Sequence, residues 1–123
     1  MAREGISCVK RRAYETLGRL YAAYHEYNIQ HFASMLVTLP IYIRPTTGQV
    51  TIAYTWTDDY TGAPRYIVLT EAHALGDPWL EVKETLLHEM VHVWQAQQGR
   101  KVGHDESFRL MAERLGISGR ACD

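Results

Sequence analysis

The run His88-Glu89-Met90-Val91-His92, inside the stretch TLLHEMVHVWQ (Thr85 to Gln95), constrains this chain more than any other feature. Imidazoles four residues apart face the same way only if the backbone between them is helical, where they stand one turn apart on one face. Glu89 is rotated about 100° from His88, so its carboxylate lies beside the point the two rings address. That is where a proton-transfer group belongs. Multiplying the frequencies of six histidines and the glutamates gives such a pentad by chance in roughly 2% of chains of this composition. Leu86, Leu87, Met90, Val91 and Val93 make the helix apolar on most sides, which predicts a buried helix. Two imidazoles and a carboxylate buried there need partners, and a metal ion with its water satisfies all three.

Independent signals bound the same helix. Asp77 is an N-cap residue type, Pro78 suits the first helical position, and Glu81 and Glu84 favour the positive end of the helix dipole. Gly99 is a natural C-cap, so the predicted helix runs from about Pro78 to Gln98.

Zinc takes at least three protein ligands at a catalytic site and keeps one position for water. Six residues after His92, where the metzincin pattern has a histidine, stands Gln98, and that subclass is excluded. The next histidine is His104, in the glycine-containing segment RKVGHDES, which can fold back toward the helix. Asp105 and Glu106 compete for the same role; imidazole suits a borderline-soft ion better.

Around this helix the chain of 123 residues reads as a single domain, 1–123, with no repeat and no linker. Ala13, Leu17, Leu20, Tyr21 and Tyr24 recur at helical spacing, predicting a first helix from about Val9 to Tyr27. Its tyrosines, Tyr14, Tyr21, Tyr24 and Tyr27, are read as packing residues. Three strands are expected: MLVTLPIYIRP, interrupted or at an edge because of Pro40; VTIAYTW, after the turn TTGQ; and RYIVLT, after the turn TDDYTGAP. Short turns between them predict a small, mainly antiparallel meander. A last helix from Asp105 to Gly116 turns Phe108, Met111, Ala112 and Leu115 inward. The fold class is α+β: N-terminal helix, small three-stranded sheet, long helix, short C-terminal helix.

The formal net charge of −1 gives no global attraction to nucleic acid, so contact with single-stranded DNA would rest on the local basic run Lys10-Arg11-Arg12, with Arg3 and Arg19 near it. No signal-like apolar stretch opens the sequence and nowhere do 18 apolar residues follow one another, so the expectations are no membrane span, a cytoplasmic location and a monomer. Cys8 and Cys122 lack metal-ligand spacing and read as ordinary thiols.

The segment from Trp79 to Gly116 resembles the SprT-like family of zinc metalloproteases, which includes DNA-protein-crosslink proteases of the Spartan kind. The resemblance is carried by Thr85, Leu86, His88, Glu89, Met90, His92 and Trp94, and by Gly103, His104 and Phe108 in the pattern G-H-G-x-x-F. It extends more loosely over the first helix and the strands. It implies a zincin-like domain with zinc held by His88, His92 and His104, and Glu89 as the catalytic residue. The implied activity is endopeptidase cleavage of flexible or unfolded protein, including protein associated with or crosslinked to DNA. Asp105 departs from the family's glycine and is expected to alter the turn and to serve as an acceptor for His104. With its last residue at Asp123, the sequence reads as a minimal form without the C-terminal zinc ribbon.

Tyr54, Tyr66, His73 and Arg109 are candidates for an additional oxyanion donor, while His73 reads otherwise as a loop residue and His25 and His31 lie outside any motif. A substrate strand would add to an edge of the sheet, at RYIVLT or at the Pro40 strand. Two other functions remain open: a narrow-specificity regulatory peptidase resembling the ImmA/IrrE group, and a non-catalytic zinc-stabilised module that binds DNA or protein. The glutamate argues against the second, since a structural site needs no base.

Overall fold

The computed structural model describes residues 8–46 and 52–117. In chain order the elements are α1 (Cys8–Phe32), β1 (Ile41–Arg44), β2 (Ala53–Thr57), β3 (Pro64–Thr70), α2 (Glu71–Gly76), α3 (Trp79–Gln97) and α4 (Glu106–Leu115). The expected α+β order holds, with α2 added. Arg3 and Cys122 lie outside the described residues, as does most of the TTGQ turn; Cys8 is an exposed free thiol.

Every residue of α3 from Thr85 to Val93 is buried, because α1, α2, β2, β3 and α4 all pack on this helix. Leu20, Tyr24 and Phe32 of α1 join Ile67 and Leu69 of β3, Leu86, Met90 and Val93 of α3, and Phe108 of α4 in one core. A fully buried leucine such as Leu86 contributes about 1.5–3 kcal/mol relative to an exposed one.

The sheet corrects the meander. Its strand order is β1-β3-β2, with β3 antiparallel to β2 and parallel to β1. RYIVLT is therefore the central strand and not an edge. Its composition agrees: Ile67, Val68 and Leu69 are all buried, as suits a strand paired on both sides. β1 begins directly after Pro40, whose carbonyl accepts from Ile67 N at 3.0 Å, so the residue lacking an N–H stands just before the outer strand.

α1 is longer than predicted, and its polar residues explain how it ends. The Asn28 side chain pairs with both backbone groups of Leu36, at 2.9 and 3.0 Å, and Tyr24 donates to Val37 O at 2.6 Å. Burial pushes the Tyr24 hydroxyl's pKa up. Tyr21, at the rim, accepts from Ile41 N at 2.7 Å. These bonds fold residues 36–41 back along α1 after Ala33 and Ser34 take positive φ, and so aim β1 at the sheet.

Asp77 does not cap α3. Its carboxylate binds His73 Nδ1 at 2.7 Å, and Pro78 occupies the cap position without a side-chain bond. His73, read from the sequence as a loop residue, lies instead in the helix α2, EAHALG, which buries it and places its Nε2 2.8 Å from Thr85 Oγ1 on α3. At the other end Gly99 adopts φ +74, with Gly99 N donating to Ala96 O and Arg100 N to Gln95 O. This paired closure needs a left-handed residue, which glycine supplies without strain.

Candidate metal centre and its supports

α3 presents His88 and His92 on one face, and the segment between α3 and α4 brings His104 to the same place. One ring nitrogen from each lies within 4.8 Å of the others, a cluster that can hold a metal ion. His88 Nε2 and His104 Nε2 are 3.1 Å apart. His88 and His92 are buried and His104 is half-buried, so the cluster opens to solvent on the side of the α3–α4 segment. Phe108, fully buried on α4, contacts all three imidazoles, with ring centroids at 4.7–4.8 Å, and its ring lies nearly parallel to that of His92.

Glu89 is fully buried. Its Oε1 accepts from Thr55 Oγ1 at 2.6 Å, and Thr55 belongs to the inward face of β2. A hydroxyl–carboxylate bond of this length is charge-assisted and fixes the carboxylate's orientation. Thr55 escaped the sequence reading. The signal was the alternation Ala53, Thr55, Thr57, which turns the hydroxyl toward α3 and Tyr54 and Trp56 away from it.

Asp105 follows His104 directly in the chain. It caps α4, accepting from Phe108 N at 3.1 Å and from Ser107 Oγ at 2.7 Å. The Ser107 hydroxyl, and after it the Phe108 N–H, hold its carboxyl below the usual aspartate range. With its oxygen engaged in the cap, Asp105 serves the turn that presents His104. Glu106 is exposed in the first turn of α4.

Of the four oxyanion candidates, Tyr54 and Tyr66 lie on the outer face of the sheet, in an aromatic cluster with Tyr42 and Trp56. His73 has both ring nitrogens engaged by Asp77 and Thr85. Arg109 is exposed on α4, one residue beyond Phe108. In the basic run, Arg12 donates to Leu75 O and Arg19 lies over the Trp79 ring at 4.0 Å, so both serve the fold. Lys10 and Arg11 are exposed. No helix among the described residues is long and apolar enough to cross a membrane.

A family model described as the SprT-like family matches residues 17–122, a span that includes α1 from Leu17 onward, the sheet and all three histidines. No curated protein and no solved structure gives a significant match.

Proposed function

The chain belongs to the SprT-like family, and from that premise we propose that it is a zinc-dependent endopeptidase acting on flexible or unfolded protein, with DNA-associated or DNA-crosslinked protein among its substrates. The observation that carries the reading is the convergence of His88, His92 and His104 beside a buried, hydroxyl-bonded Glu89.

The donor set suits zinc. Three neutral imidazoles leave one tetrahedral position open, as catalytic zinc sites do, and zinc–nitrogen bonds of about 2.0–2.1 Å would separate ligand nitrogens by about 3.3–3.4 Å. The 3.1 Å between His88 Nε2 and His104 Nε2 is close to that edge. Bound there, zinc supplies Lewis acidity toward a water molecule and the scissile carbonyl.

Glu89 is the base. It takes a proton from the attacking water and passes it to the departing amine, a role worth about 10²–10⁴-fold in rate. The Thr55 hydroxyl orients the carboxylate for this role. Phe108 holds the three rings from below and keeps water off that side of the cluster.

Among the described residues, the sheet edge nearest this site is β2, the strand that carries Thr55, and an extended substrate adds there as a further strand. Recognition through main-chain bonds favours unfolded polypeptide over a particular sequence. Contact with single-stranded DNA falls to the exposed Lys10 and Arg11, and its affinity should fall with rising salt.

The test is digestion of an unfolded protein by the zinc-loaded chain and by Glu89→Gln, each with and without single-stranded DNA. Cleavage by the wild type alone supports the reading, and stimulation by DNA supports the DNA-linked substrate. Cleavage of a single dedicated protein only would point to a regulatory peptidase. Zinc binding with no cleavage of any substrate would leave a binding module.

A further inference from the structure

Gln95 is fully buried on α3, three residues beyond His92, and both ends of its amide make polar contacts. Its Oε1 lies 2.9 Å from His92 Nδ1 and accepts from Gly103 N at 3.3 Å. Its Nε2 donates to Gly103 O at 3.0 Å, to Ser107 Oγ at 3.1 Å and to Asp105 Oδ1 at 3.3 Å. The two backbone groups of Gly103 settle which end of the amide is which: an N–H can only donate and a carbonyl can only accept. The atom facing His92 is therefore the amide oxygen, which has no proton to give. His92 Nδ1 must carry the hydrogen, and Nε2 is left with the lone pair.

We propose that Gln95 is a positioning residue for the metal centre: one side of its amide sets the tautomer of His92, and the other ties the Gly103–Ser107 segment, which carries His104, to α3. The inference rests on the reading of the three histidines as zinc ligands. Such a residue coordinates nothing itself. It presents a ready nitrogen on His92 and fixes the approach of His104, so that the site is largely formed before an ion arrives. Partners that orient metal-ligating imidazoles typically account for 10–100-fold in metal affinity.

Two readouts test it. In the metal-free wild type, histidine-selective 15N NMR above pH 7 should show His92 protonated at Nδ1; protonation at Nε2 overturns the proposal without any variant. Zinc affinity by chelator competition should fall 10–100-fold in Gln95→Met, which keeps the volume and loses every bond. In Gln95→Glu an acceptor for His92 remains but the donors to Gly103, Ser107 and Asp105 are gone. It should keep the proton at Nδ1 and still lose affinity, a separation that a purely structural role would not produce. Unchanged zinc affinity in a folded Gln95→Met overturns this inference alone, whereas a wild type that binds no zinc overturns the metal reading on which it stands.

Discussion

Thr55→Val replaces the hydroxyl with a methyl and keeps the β-branched shape, so it deletes the bond to Glu89 Oε1 at 2.6 Å together with the longer contact to Glu89 O at 3.3 Å. Hydrogen bonds to charged groups contribute about 1.5–3 kcal/mol. Thr55 is half-buried, which places the expected loss in the lower part of that range, about 1.5–2 kcal/mol. An unfolding entropy of about 2.1 cal/mol/K per residue over 123 residues gives about 0.26 kcal/mol/K, so the melting temperature should fall by about 6–8 °C. The same substitution in a Glu89→Gln background should cost about half as much, since a bond to a neutral amide is roughly half as strong as one to a carboxylate. Thermal unfolding of the wild type, both single variants and the double variant measures the coupling in the metal-free protein. An equal loss in both backgrounds would refute the reasoning, because Thr55 would then be acting through the strand or the Glu89 carbonyl and not through the carboxylate.

Phe108→Ala should destabilise the fold by about 3–5 kcal/mol, read by denaturant unfolding, because it empties a fully buried site that touches all three imidazoles. His73→Ala should cost about 1–3 kcal/mol or more, since it leaves the buried Thr85 hydroxyl without its ring partner; a change below about 0.5 kcal/mol in the same assay would show that the α2–α3 clasp is slack. Asp58 is held below its usual pKa by the N–H of Thr61, then that of Tyr60, with Arg65 adding to both. Its folded pKa is depressed, so the stability it gives the 58–63 turn is complete above the ordinary aspartate value near 4 and is lost as pH falls through the lower folded value. Amide shifts of Tyr60 and Thr61 followed down in pH should report that late titration, and a midpoint at or above the ordinary value would contradict it.

The helix that carries the site could be read from the sequence because two constraints coincide there. His88 and His92 demand a helix, and its apolar flanks demand burial; α3 meets both from Thr85 to Val93. Gly99 was equally legible, since a left-handed closure leaves a glycine in the sequence. What was missed depends on partners far along the chain. Asp77 looked like a cap because its residue type permits capping, but a buried histidine on α2 offered its carboxylate a different bond. The parallel pairing of β1 with β3 follows from where α1 delivers the chain, which Asn28 and Tyr24 decide by binding residues 36 and 37. Thr55 and Gln95, polar residues in an inward strand position and on a buried helix, are signals of a kind the sequence does show. Their partners at Glu89 and Gly103 it does not.

The central claim is that His88, His92 and His104 form one zinc site served by Glu89. Zinc content per chain after dialysis against a defined free-zinc concentration tests it most directly, measured in the wild type, in His88→Ala, His92→Ala and His104→Ala, and in Glu89→Gln. The account predicts one zinc per chain in the wild type and in Glu89→Gln, and loss of that zinc in each histidine variant. Full retention of zinc in His104→Ala, with the other two variants empty, would contradict it and return the third position to a carboxylate such as Glu106.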